Sequence, residues 1–125
     1  MTRALVLFAH GARDPRWAEP FEAIAARVRE AAAGATVRLA FLELMAPSLA
    51  DAVDALVADG VDAIDVVPLF LGTGSHLRRD LPALADAVRA GHPGVELRLH
   101  AAIGEDASVH RALASAALAA AGFRE

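Results

Sequence analysis

The sequence predicts an α/β fold: a four-stranded parallel sheet with helices on both faces, in one domain spanning residues 1–125. Three observations lead there. Short apolar runs that are continuous rather than alternating mark strands buried on both sides. Between them lie stretches of helical periodicity, most of them closed by glycine. The two patterns alternate as βαβαβαβα with little linker, and repeated right-handed crossovers turn that order into parallel neighbours. With 125 residues and 56% hydrophobic content the chain fills such a core unaided. It has no cysteine, so neither a disulfide framework nor a thiolate metal site is available.

Ala4-Leu5-Val6-Leu7-Phe8-Ala9 is the first strand, ending in His10. Turn-forming residues follow from Gly11 to Pro15. Trp17, Phe21, Ile24 and Val28 then recur at helical spacing as far as Gly34. Thr36 to Leu44 reads as the second strand. Ser48 with Asp51 three residues on has the capping-box pattern, and Leu49, Val53, Leu56 and Val57 form the stripe of a second helix stopped by Gly60. The third strand is Ala63 to Leu71, apolar but for Asp65. Pro68 within it removes a ladder donor and points to a bulge or an unpaired side. Asp80 reads as the cap of the third helix, with Pro82 in its first turn, Leu81, Leu84 and Val88 on its buried face, and Gly91 at its end. Val95 to His100 is the fourth strand. Val109, Leu113 and Leu118 mark a last helix that stops at Gly122.

No stretch of about 18 apolar residues runs without a charge, which excludes a helical membrane span. Met1-Thr2-Arg3 leads directly into the first strand with no signal-peptide pattern, so the expected compartment is the cytoplasm. A net charge of −4 and a pI near 5.7 exclude non-specific binding of nucleic acid. All twelve basic residues are Arg. A functional reading would invoke the bidentate guanidinium grip on carboxylates, and a genome that favours Ala and Arg codons would give the same count, so only the location of an Arg can carry function.

Ligands on open parallel sheets bind beyond the carboxyl ends of the strands, where strand order reverses. His10, Glu43, the Gly72-Thr73-Gly74-Ser75-His76 segment and His100 all fall along that edge. With strand order 2-1-3-4, His10 and the segment carrying His76 flank the reversal. Singly each has an ordinary explanation. A lone His after a strand is commonly structural, Glu43 among apolar neighbours needs only an Arg partner, and a Gly-rich loop also cradles phosphate. His92, in a Gly-His-Pro-Gly turn, and His110, on a helix, are weaker candidates. Jointly, His10, Glu43 and His76 suit a divalent transition metal, and three protein ligands leave positions open for exchange.

The segments Leu7-Phe8-Ala9-His10-Gly11-Ala12-Arg13-Asp14-Pro15-Arg16-Trp17, Phe41-Leu42-Glu43, Pro68-Leu69-Phe70-Leu71, Gly74-Ser75-His76 and Asp80-Leu81-Pro82 resemble the short CbiX-type sirohydrochlorin chelatases, from the first strand to about Gly104. The resemblance implies a chelatase-like half-domain that inserts cobalt, or in relatives iron or nickel, into a reduced tetrapyrrole without ATP. No organic cofactor is implied; the divalent metal (Co²⁺, Fe²⁺ or Ni²⁺) is a substrate. His10 and His76 are then the metal-binding and proton-accepting residues, with Glu43 assisting. Ala12 stands where Ser is common after His-Gly, and His100 lies outside the family pattern.

Metal insertion suits these side chains, since an imidazole accepts a proton near neutral pH and also ligates metal. Such a substrate is a polycarboxylate, which the net charge repels. Arg13 and Arg16 after His10, and Arg78 and Arg79 after His76, are therefore candidate substrate-binding residues, at least one of them gripping a carboxylate. One small sheet offers a macrocycle a single wall, so a homodimer is expected. Two rival readings share the residues. A non-catalytic metal-binding or metal-delivery module would use His10, Glu43 and His76 without a tetrapyrrole site. A histidine phosphatase would need Arg directly before the histidine, where this chain has Ala9.

Overall fold

The computed structural model describes residues 2–124. Its elements are β1 (Arg3–Ala9), a 3-10 turn (Pro15–Ala18), α1 (Glu19–Ala31), β2 (Thr36–Phe41), α2 (Leu49–Ala58), β3 (Ala63–Pro68), α3 (Ser75–Gly91), β4 (Glu96–Leu99), a second 3-10 turn (Ile103–Glu105) and α4 (Ala107–Ala121). The sheet is parallel throughout, in the order β2-β1-β3-β4. Alternation along the strands divides the core. Ala4, Val6, Phe8, Ile64, Val66 and Leu97 face α2 and α3, where they meet Leu49, Val53, Leu56, Leu81, Ala85 and Val88. Leu5, Leu7, Val37, Leu39 and Val67 face the other way, toward Ala25 and Val28 of α1. The expected parallel sheet with helices on both faces is the fold.

Several boundaries differ from expectation. β2 stops at Phe41 rather than Leu44, because Leu42 and Glu43 donate in succession to the end of β1, which breaks strand alternation, and Leu44 then turns left-handed at φ 65. β3 stops at Pro68 rather than Leu71. Val66 accepts from His100 on the β4 side and Leu69 donates to Phe8 on the β1 side, so alternation turns Pro68 toward β4. The β4 ladder has already ended there, at Val66↔Leu99. The missing N–H faces the unpaired side, as a proline in a central strand requires. The largest correction concerns α3. It begins at Ser75 with Gly74 as its cap, so Asp80 is interior and Pro82 lies well past the first turn. Leu77 packs on the same core as Leu81 and Leu84, so the apolar stripe starts one turn earlier than the caps suggested. His76 is consequently on a helix, not in a loop.

Asp65 is the one buried charged residue among those described, its side chain 12% exposed. Arg3 donates to Oδ2 at 3.2 Å, His100 Nε2 to Oδ1 at 2.8 Å, and Arg98 Nε lies 3.2 Å from Oδ1. Burial pushes its carboxyl up, but the hydrogen bonds from His100 and Arg3 and the charge of Arg98 together hold it below the ordinary value. A carboxyl lowered in the folded state stabilises the protein above its unfolded-state pKa, and that stability is lost as pH falls through the folded value. Urea unfolding from pH 7 to pH 3 should therefore show a loss beginning near about pH 4 that is shallower in Asp65→Asn. Equal slopes would show that this carboxylate does not govern acid stability.

α4 departs from the rest of the fold. It forms and ends as expected, with Gly122 at φ 83 as its left-handed cap, yet none of its residues is buried. No helix among the described residues is long and apolar enough to cross a membrane.

Candidate active site

β1 delivers His10 to the carboxyl edge of the sheet. Phe8 and Ala9 are fully buried, which pins the register, and the next side chain emerges 49% exposed. Because the chain leaves β1 for β2 on one side and returns as β3 on the other, His10 sits at the reversal of strand order. Glu43 arrives from the β2 side. Past Phe41 the chain keeps two bonds to the end of β1: Leu42 N–H to the Ala9 carbonyl at 2.9 Å, and Glu43 N–H to the His10 carbonyl at 3.0 Å. The same two residues meet through their side chains, Nε2 of His10 donating to Oε1 of Glu43 at 3.1 Å, with Glu43 55% exposed.

Gly11 makes that approach possible. Its φ is +96, and a Cβ placed there would stand 1.8 Å from the Glu43 carbonyl oxygen. On the opposite side the His10 ring meets Phe70 edge-on at 6.0 Å between centroids, and Phe70 in turn packs on Phe8. These contacts orient the imidazole from two directions. Two ligand atoms about 2.1 Å from one ion, at right angles to each other, stand about 3 Å apart. The 3.1 Å edge between His10 and Glu43 has that dimension, so a divalent ion can take the place of the shared proton.

His76 is exposed on the first turn of α3. Among the described residues no hydrogen bond or ion pair joins it to His10 or Glu43, and no three His, Cys, Asp or Glu side chains converge closely enough to hold a metal. Six residues separate the end of β3 from Ser75, so the position of His76 is set by the pose of α3 rather than by the sheet. Of the four arginines, Arg16 is engaged by Asp14, Nη2 to Oδ2 at 2.8 Å with Nε donating to both oxygens at 3.2 Å. These bonds lower the Asp14 carboxyl and raise the Arg16 guanidinium. Arg78 donates to the Thr73 hydroxyl at 3.3 Å. Arg13, Arg78 and Arg79 have no carboxylate partner among the described residues.

The sequence profile of the CbiX family matches residues 4–120, nearly the whole chain. The chain belongs to the CbiX family. A sirohydrochlorin cobaltochelatase from Methanopyrus kandleri is 42% identical over 81 residues, covering 65% of this chain and 57% of that protein. This CbiX chain thus spans less than two thirds of the length of the curated relative it matches. Among solved structures, a CbiX protein from Marinobacter aquaeolei VT8, named for cobalamin (vitamin B12) biosynthesis, is 38% identical with a TM-score of 0.82, over 92% of this chain and 93% of that one. The sirohydrochlorin chelatase SirB from Bacillus subtilis subspecies spizizenii, in complex with cobalt, is 26% identical with a TM-score of 0.79, over 91% of this chain and 49% of that one.

In this CbiX chain the other three histidines are taken up structurally. His100 is held by Asp65 and His92 Nε2 by Asp54 at 2.6 Å, while His110 Nε2 donates to the Gly104 carbonyl at 2.6 Å. The reading of the sequence missed Phe70 beside His10 and the glycine contact beneath Glu43. The His-Gly pair was the available signal for the second, since a glycine directly after a strand end marks a close backbone approach.

Proposed function

We propose that this chain inserts a divalent metal, cobalt foremost and iron or nickel in the same site, into sirohydrochlorin as an ATP-independent chelatase of tetrapyrrole biosynthesis (cobalamin or sirohaem). It would act in the cytoplasm with residues 1–125 as one domain. The observation that carries the reading is the 3.1 Å edge between His10 and Glu43 at the strand-order reversal of a CbiX chain. Insertion exchanges one divalent ion for two pyrrole protons. His10 Nε2 and Glu43 Oε1 hold the incoming ion while water keeps its remaining positions, a grip weak enough to release it to four ring nitrogens. His76, with no hydrogen-bond partner among the described residues, accepts one pyrrole proton, and the second passes to water. Arg13, Arg78 and Arg79 hold peripheral carboxylates; Arg16 joins them only by giving up Asp14. The decisive measurement is the absorbance change of sirohydrochlorin with Co²⁺, Fe²⁺ or Ni²⁺, with and without protein. Metal bound by the protein with no acceleration of insertion would favour a metal-delivery module instead.

The working unit is a homodimer. No residue of α4 is fully buried in its own chain, and Leu113 and Leu118 are exposed on it. On the sheet face that carries α1, Val67 and His100 line two adjoining hollows of about 380 and 430 Å³. Parallel sheets are covered on both faces, and an Ala-rich helix packs closely. A second copy would give each of these surfaces a partner. Sedimentation equilibrium at micromolar concentration should give twice the 13.0 kDa chain mass, falling toward the monomer in Leu113→Glu. A wild-type monomer with full specific activity on dilution would refute the dimer.

A further inference from the structure

Two large apolar side chains stand out at the rim of the site. Leu44 is 58% exposed and Leu71 is 64% exposed. Leu44 lies just past the end of β2 and Leu71 just past the end of β3, the two strands that flank β1. They therefore follow the two strands on either side of the one that carries His10. Neither sits on loose backbone. Leu44 has φ 65, a left-handed conformation that bulky residues rarely adopt, within a tight turn closed by Met45 N–H to the Glu43 carbonyl at 2.8 Å. That carbonyl rests against Gly11. Leu71 is braced in the same manner: its carbonyl oxygen would lie 1.7 Å from a Cβ on Gly104, whose N–H donates to the Phe70 carbonyl at 2.9 Å.

Folding alone gives no reason for this pair. A left-handed, solvent-facing position favours glycine or asparagine, and a rigid exposed turn gains nothing from a leucine. Apolar exposure flanks the reactive pair on both sides, and on the Leu44 side it coincides with backbone strain, which points toward a ligand. We propose that Leu44 and Leu71 are positioning residues that clasp the flat apolar body of the tetrapyrrole over His10 and Glu43. They select for a planar ring, while the arginines read its charged arms. This rests on the chelatase reading above.

Leu44→Gly and Leu71→Ser test it. Glycine relieves the left-handed strain at position 44, so that variant keeps the fold, and residue 71 is exposed. Binding of metal-free sirohydrochlorin, followed by absorbance, should weaken roughly tenfold in each, as expected for losing part of a leucine's burial. The KM for sirohydrochlorin should rise in parallel, with kcat, the KM for Co²⁺ and the sedimenting mass unchanged. Wild-type affinity for sirohydrochlorin in both variants would overturn the proposal. A shift to monomer mass would overturn it too, by making the leucines contacts between copies. A wild-type protein that binds sirohydrochlorin without inserting metal would end the catalytic reading and leave this binding test standing. One that binds none would end both.

Discussion

His10→Ala and His76→Ala should each slow cobalt insertion into sirohydrochlorin by about two to four orders of magnitude, which for His76 is the range for losing a proton-transfer group. Their far-UV circular dichroism should match the wild type. The fold is expected to survive because both side chains are exposed, His10 at the sheet edge beside Glu43 and Phe70 and His76 on the first turn of α3. The two losses should differ in kind. Without His10 the metal edge is gone, so the dependence on Co²⁺ concentration should shift as well as the rate. Without His76 the metal edge is intact and the loss should fall on kcat, because a proton acceptor acts only in the transition state. Wild-type rates in either variant would remove that residue from the site.

Gly11→Ala should destabilise the protein by about 2–4 kcal/mol and abolish the contact between Glu43 and His10. Two effects add. An L-residue at φ +96 is strained, and the new Cβ would lie 1.8 Å from the Glu43 carbonyl oxygen, which belongs to backbone and cannot rotate away. The turn carrying Glu43 must lift off β1, taking with it the bond from Glu43 N–H to the His10 carbonyl. Gly34→Ala is the control. Its φ of +82 carries similar strain, but nothing lies within 4 Å of the added carbon, so it should cost only about 1 kcal/mol. Urea denaturation of the two variants measures the difference. Equal stabilities would mean that the approach of Glu43 to Gly11 is not a constraint on the fold.

What the sequence determined by itself follows from short-range periodicity. Apolar runs of strand length and helical stripes such as Leu49, Val53 and Leu56 encode their elements locally, and crossover handedness then restricts the topology to a few arrangements. The order β2-β1-β3-β4, the common one among those arrangements, is the one that forms, and it puts His10 at its reversal. Caps were a poorer guide. Asp80 and Pro82 suggested a helix start, yet burial of Leu77 extends α3 back to Ser75, because packing outweighs a terminal preference of about 1 kcal/mol.

Only the tertiary structure decided which edge residues meet. His10 and Glu43 are 33 positions apart in sequence, and their 3.1 Å contact depends on the parallel register of β1 with β2 and on the absence of a Cβ at Gly11. His100 ends its strand as His10 does, but its register opposite β3 places it on the buried carboxylate of Asp65. Arg16 is captured by Asp14 two residues away, while Arg78, with Asp80 equally near in sequence, bonds Thr73 instead. α4 has the composition of a core helix, yet none of its residues is fully buried. In each case the periodicity of a segment states what it can become, whereas its partner is set by the register and backbone approach of residues far away in the chain.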